Sequence, residues 1–229
     1  MRIEWQVEID DYARRVLAKH WPTVPKYGDI RSIDWGTVKP VTVLCGGFPC
    51  QDLSYAGKRA GLREGTRSGL WFEYLRAIRA LRPQYILVEN VPGLLDNHAL
   101  GRVLGDLAES GYDAEWDCIS AADIGGCHLR RRIWLCAYPN RIRLEEKPNN
   151  DEIRQQKNTV FRNMAMSNML MRDEPTPPRT SFCGVRDGIP NRVDRLKGLG
   201  NAVVPQIVEA LGRMILASNK ERPFMQSNI

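Results

Sequence analysis

The run Val41-Thr42-Val43-Leu44-Cys45 constrains the fold most, because it is apolar or β-branched at every position and stops at Gly46-Gly47. A strand with two apolar faces belongs in a sheet covered on both sides. A polar loop follows from Pro49 to about Arg67. Leu70, Trp71, Tyr74, Leu75, Ile78 and Leu81 then recur at helical spacing until Pro83 breaks the pattern. Tyr85-Ile86-Leu87-Val88 is a second buried-type strand and runs into Glu89-Asn90. Leu100, Val103, Leu104 and Leu107 mark another helix, closed by Gly111. Tyr112 to Ile119 and Ile133 to Ala137 read as two more strands. This alternation predicts an α/β fold around a parallel sheet.

Upstream, Trp5 to Ile9 reads as a short strand, and Asp10 or Asp11 caps a helix that Trp21-Pro22 stops. Gly28-Asp29-Ile30 is a further extended piece. Glu8, Cys50 and Glu89 each follow a strand candidate, and parallel sheets bind ligands beyond the carboxyl ends of their strands. From Asn140 to Cys183 the rhythm is lost to mixed charges, prolines and a Met-rich stretch, read as an insertion or arm. Val203, Val204, Ile207, Val208, Leu211 and Ile215 then mark a closing amphipathic helix.

The chain has 229 residues, of which 43% are hydrophobic and 26% charged, which suits one or two soluble domains. No apolar run approaches the roughly 20 residues of a membrane span, so no membrane partner is expected. The N-terminus lacks a signal-peptide pattern, which points to the cytoplasm. The net charge of +6 is compatible with a polyanionic partner. The six cysteines form no C-x-x-C pair, and the three histidines fall at no zinc spacing. The expectation is no metal site, and reduced thiols.

Cys50 stands apart from the other cysteines. In Gly46-Gly47-Phe48-Pro49-Cys50-Gln51 the glycines permit a tight turn and the proline stiffens the residue before the thiol. An accessible cysteine at a strand end can serve as a thiolate nucleophile where its surroundings lower its pKa.

Gly47-Phe48-Pro49-Cys50-Gln51 resembles the nucleophile motif of the DNA (cytosine-5) methyltransferases. Glu89-Asn90-Val91 is similar to their Glu-Asn-Val motif, and Gly126 to Arg132 to their Gly-x-Pro-Gln-x-Arg-x-Arg element. Gly200-Asn201-Ala202-Val203 resembles the Gly-Asn-[Ser/Ala]-Val motif of the closing helix. Glu8 and Asp29-Ile30 match the acidic positions after the second and third strands. The order of these motifs makes the resemblance specific. It covers roughly residues 1–138 and 186–216.

The resemblance implies a Rossmann-like class I methyltransferase sheet. It implies double-stranded DNA as partner, S-adenosylmethionine as cofactor, and a cytosine turned out of the duplex. Cys50 would attack C6, Glu89 would contact N3 and the exocyclic amine, and Arg132 would hold O2 with help from Arg130. Gln51 and Ser54 would lie nearest the flipped nucleotide, while Lys58, Arg59, Arg63 and Arg67 would meet phosphates on a loop that closes over DNA. Glu8 would bind the ribose hydroxyls and Asp29 the adenine amine, with Ile9 and Ile30 flanking the ring. Pro49, Leu70, Asn201 and Ala202 would complete that pocket. The implied domains are 1–138 catalytic, 139–185 a short recognition region of compact, phage-like type, and 186–229 a return to the catalytic domain. The setting would be the cytoplasm of a bacterium or of its phage-infected equivalent.

The family's opening strand and Phe-x-Gly-x-Gly loop have no counterpart here, and Cys127-His128 replaces the usual Pro-Gln. A late start assignment, a true truncation or a partner chain each accounts for the first departure. A monomer is expected unless a partner supplies that piece. The missing strand would lie mid-sheet, so two neighbours are expected to expose unpaired backbone. Weak cofactor binding and marginal stability follow. A non-catalytic DNA-binding remnant is the alternative reading. An unrelated thiol hydrolase would need His128 as base.

Overall fold

A computed structural model describes residues 1–49, 69–95, 99–126, 128–140 and 192–221. Six strands, five α-helices and three 3-10 turns make up the regular structure of these residues. The strands are β1 (Gln6–Val7), β2 (Lys26–Tyr27), β3 (Val43–Gly46), β4 (Tyr85–Asn90), β5 (Tyr112–Ser120) and β6 (Arg131–Pro139). The helices are α1 (Asp11–His20), α2 (Leu70–Leu81), α3 (Ala99–Glu109), α4 (Arg192–Asn201) and α5 (Pro205–Glu221).

Local signals explain most boundaries. Asp10 caps α1 by accepting from Tyr12 N and Ala13 N. Arg82 takes a left-handed conformation at the end of α2, and Pro83 prevents continuation. Gly111 does the same after α3 with φ +83°. Trp71, Tyr74, Ala77, Ile78 and Leu81 turn one face of α2 into the core.

The strands form two sheets among the described residues. One is a two-stranded parallel pair, β1–β2; the other has the order β3–β4–β6–β5. β3 and β4 are parallel, but β6 runs antiparallel to both β4 and β5. The larger sheet is therefore mixed, which corrects the expectation of a parallel one. The reason lies in the connection between β5 and β6. Ten residues, 121–130, join the two strands, too few for a crossover, and the described ones hold a short 3-10 turn, so the chain folds back as a hairpin. Ser120 fixes the turn, accepting from Asp123 N while Asp123 accepts from Ser120 N.

Two other readings change. Gly28-Asp29-Ile30 does not continue as extended chain: Asp29 caps a 3-10 turn over Ile30–Ser32. α4 is an added element that sequence did not reveal. Its sequence, RVDRLKGLGN, carries two glycines and little amphipathic pattern.

One core holds α2, α3 and the near face of both sheets, with Leu44, Phe48, Trp71, Ile78, Val88, Val103 and Leu135 among its buried residues. On the opposite face of the large sheet, Ile207, Leu211 and Ile215 of α5 pack against Leu87, Trp134 and Cys136. No described helix is long and apolar enough to cross a membrane.

Candidate active site

The stem leading to Cys50 is held from below and from the side. Phe48 is buried, with its ring 5.5 Å from that of Trp71. Burying such a ring contributes about 1.5–3 kcal/mol, enough to pin the loop base. Trp71 is fixed in turn by its Nε1 donating to Asp106 Oδ2 at 2.7 Å. Asn90, buried at the end of β4, donates from Nδ2 to the Phe48 carbonyl at 3.1 Å. Its Oδ1 accepts from Val91 N at 2.9 Å. One amide thus ties the loop after β3 to the loop after β4.

Gly47 lets the two loops approach. A Cβ there would stand 2.8 Å from the Glu89 carbonyl oxygen and 3.2 Å from Glu89 Oε2. Pro49, half-buried, is the last described residue of this stem. Cys50, Gln51, Ser54, Lys58, Arg59, Arg63 and Arg67 lie outside the described residues.

Glu89 and Arg132 face each other on neighbouring antiparallel strands. Glu89 is opposite Trp134 in the ladder, so Arg132 is its diagonal neighbour on the same face. Arg132 Nε lies 3.0 Å from Glu89 Oε1, with both side chains mostly buried. The approach falls outside hydrogen-bonding geometry, and Glu89 Oε1 is a buried oxygen with no hydrogen-bond donor. Burial pushes the Glu89 carboxyl above its ordinary value, while Arg132 and then Arg130 restrain the shift. A buried acid with unspent hydrogen-bonding capacity can both donate to and accept from a ligand.

Arg130 sits elsewhere than its sequence pairing with Arg132 suggests. Its Nη2 donates to the carbonyls of Gly200 at 2.8 Å and Ala202 at 2.5 Å. It clasps the turn between α4 and α5, where Asn201 and Ala202 are exposed. This places Ala202 next to the base of β6.

Glu8 and Asp29 share one end of the β1–β2 pair. Glu8 Oε1 accepts from Asp10 N at 2.7 Å, and Ile9 beside it is 64% exposed. Asp29 pairs with Arg31, and hydrogen bonds from that guanidinium and from Arg31 N hold its carboxyl down at about 2. Ile30 packs against the main core. Leu70, at the first turn of α2, is half-buried. Among the described residues no hydrogen bond or ion pair links Glu8 or Asp29 to Glu89 or Arg132.

The donor set has acidic and apolar groups suited to a nucleoside. Glu8 offers a carboxylate to a diol, and Ile9 and Ile30 offer apolar surface. Asp29 would have to share its carboxylate with Arg31. No group of three or more metal-ligating side chains occurs among the described residues.

Sequence reasoning missed Asn90 as the tie between the two loops and Arg130 as a clasp on α4. The Asn-Val dipeptide after an apolar strand was the available signal for the first. Nothing local signalled the second, whose partners lie 70 and 72 residues away.

The mixed sheet and its helices form a fold shared with a solved structure. A solved structure of a DNMT2 variant from Spodoptera frugiperda matches 65% of this chain and 46% of its own, with TM-score 0.50 and 18% identity. The chain belongs to the C-5 cytosine-specific DNA methylase family, whose pattern matches residues 1–182. It is similar to type II methyltransferases. With M.NlaIV of Neisseria lactamica it shares 37% identity over 138 residues, 56% of this chain and 32% of that protein. With M.HhaI of Haemophilus parahaemolyticus it shares 31% over 141 residues, 60% and 42% respectively. With M.Eco47II of Escherichia coli it shares 46% over 101 residues, 42% and 23%. The chain therefore spans well under half the length of these relatives.

Proposed function

We propose that this chain serves methylation of cytosine C5 in double-stranded DNA, with S-adenosylmethionine as methyl donor. The observation that carries this reading is the mostly buried Glu89 carboxyl, whose Oε1 accepts no hydrogen bond of good geometry, beside the Gly47–Pro49 stem that leads to Cys50.

Cytosine C5 is a weak nucleophile until C6 is substituted. Cys50 thiolate adds to C6 of a base turned out of the duplex, and the double-bond electrons move to C5. S-adenosylmethionine, when bound, supplies an electrophilic methyl group to that carbon. Loss of the C5 proton then expels the thiolate and restores the ring. Glu89 holds N3 and the exocyclic amine, and its raised affinity for a proton favours donation to N3 as charge builds on the ring. Arg132 holds O2, and Arg130 assists while fixing the turn after α4. Gln51 and Ser54 flank the nucleotide, and Lys58, Arg59, Arg63 and Arg67 meet phosphates. Glu8 takes the ribose and Asp29 the adenine amine, between Ile9 and Ile30. Pro49, Leu70, Asn201 and Ala202 line the remainder.

Residues 139–185 serve as a compact, phage-like recognition region between the catalytic segments 1–138 and 186–229. The protein works as a monomer in the cytoplasm of a bacterium or phage-infected host, unless a partner completes its sheet. The division of the sheet at β1 and β3 favours a second reading, in which residues 1–229 alone bind DNA without turnover.

Incubation with duplex DNA carrying 5-fluorocytosine, in the presence of S-adenosylmethionine, separates these readings. Fluorine blocks elimination at C5 once the methyl group has been transferred, so an otherwise complete form of the wild-type chain should be trapped covalently and its Cys50→Ala variant should not. An undiminished adduct in the variant rules Cys50 out. DNA binding with no adduct in the wild type favours the non-catalytic reading.

A further inference from the structure

Two unpartnered atoms on one face of the large sheet are chemically complementary. Glu89 Oε1 is a buried acceptor with no donor, and Trp134 Nε1 is a buried donor with no acceptor. Their residues are register partners on β4 and β6, so both side chains leave the sheet on the same face. Directly opposite residues of an antiparallel pair have Cβ atoms about 4.5–5.5 Å apart, a gap that an indole N–H and a carboxyl can bridge. Trp134 is 4% exposed and packs with Leu87, Ile207 and Leu211. A donor left unbonded at that depth is unfavourable and calls for an explanation.

Arg132 lies against the same oxygen without bonding it well. Its Nε is 3.0 Å from Glu89 Oε1 and outside hydrogen-bonding geometry, while its Nη1 donates to Arg131 O at 2.8 Å. A guanidinium that turns to O2 of a base gives up part of its hold on Glu89. The other charges nearby are engaged elsewhere. Arg130 commits Nη2 to the Gly200 and Ala202 carbonyls. Asp117, opposite Trp134 on β5, is exposed and accepts from Cys118 N. Glu115, two residues before it, accepts from Tyr138 Oη, and Glu209 and Arg213 of α5 pair with each other at the surface.

We infer that Trp134 is a positioning residue for Glu89, its indole N–H bonding Oε1 when Arg132 turns to the base. The bond holds the carboxyl in place while its other oxygen faces the ligand. It also favours the ionised form, and so opposes the upward push that burial exerts on Glu89. Phenylalanine in this place would fill much of the same space and leave Glu89 to Arg132 alone. The role rests on the reading of Glu89 and Arg132 as the groups that meet the base, but the bond is tested without DNA or turnover.

The indole N–H resonance of Trp134 reads that bond directly. Among the six tryptophans it is the resonance lost in Trp134→Phe. In the wild-type chain it should change little with pH. In Arg132→Met, where the guanidinium is gone, it should move downfield and titrate with a midpoint above the ordinary glutamate value of about 4.3. Adding Glu89→Gln should abolish that titration, and adding Asp117→Asn should leave it. Arg132→Lys keeps the charge without the planar head and should give the same change in smaller degree, so it decides the matter if Arg132→Met does not fold. A resonance that stays in place in every folded Arg132 variant overturns the proposal. So does a titration that survives Glu89→Gln or disappears with Asp117→Asn. Full titration in the wild type also overturns it, because Trp134 would then hold Glu89 permanently. An absent 5-fluorocytosine adduct would count against methyl transfer and leave these outcomes untouched.

Discussion

Glu89 and Asp29 are both acids placed just beyond or at the end of a strand, yet they are held in opposite ways. Glu89 is mostly buried between β4 and β6, its carboxyl raised by burial and its Oε1 without a hydrogen-bond donor although Arg132 lies beside it. Asp29 is satisfied at the surface by Arg31, with its carboxyl depressed to about 2. The first is prepared for a ligand that brings its own polar groups. The second already has a partner, which a ligand must displace or share. The region around β4 and β6 thus keeps an acceptor in reserve, while the acid at the end of the β1–β2 pair is already engaged by Arg31.

The largest effect expected from this contrast is in cofactor affinity. Calorimetric titration of S-adenosylmethionine into residues 1–229 should show weak binding or none. Micromolar affinity in a preparation shown to be monomeric would erase the distinction between the two regions.

Matched glycine substitutions come next. Gly47→Ala drives a Cβ against the Glu89 carbonyl, a backbone atom that cannot swing aside, and should cost about 1–3 kcal/mol as overpacking does. Gly28→Ala, at the end of β2, meets nothing within 4 Å and should stay within about 0.5 kcal/mol of wild type. Denaturant melts decide both, and equal losses would remove the contrast.

Asn90→Ala leaves the Phe48 carbonyl without its donor and should cost about 1–3 kcal/mol. Exchange should quicken around Phe48 and leave Tyr27 unaffected; a uniform change would make Asn90 ordinary core.

The smallest effect is in pH dependence. The folded Glu89 value lies above the unfolded one, so the native state holds the proton more firmly. Wild type should lose stability as pH rises from the ordinary glutamate range through that higher value. Glu89→Gln has nothing to ionise there, so its melting temperature should gain on wild type as pH rises. A constant difference from acid to neutral pH would place Glu89 in an unperturbed setting.

Periodicity made the fold's scaffold legible. Leu100, Val103 and Leu107 announced α3, Pro83 the end of α2 and Gly111 the end of α3, and the apolar runs announced β3 and β4. The β5–β6 reversal was harder to see, because strand direction depends on the length of the connection and not on strand composition. α4 escaped because glycines and charges obscure any face. At the site, the motif resemblance pointed to Glu89 and Arg132, and Arg132 Nε lies 3.0 Å from Glu89 Oε1. The Asn90 tie and the Arg130 clasp depend on long-range approach, which no local pattern encodes.

The reversal of β6 fixes which end of each segment can be useful. β4 runs toward one pole of the sheet, so what it delivers there sits at its last residues, Glu89 and Asn90. β6 runs away from that same pole, so what it delivers there comes before it: Arg130 just ahead of its entry and Arg132 within its first turns of pleat. Useful groups therefore trail one strand and lead the other. A crossover in place of the hairpin would have carried both arginines to the opposite pole, a whole strand length from Glu89. The order of residues along the chain, Glu89 at the end of its strand and Arg130 and Arg132 around the start of theirs, is a record of strand direction.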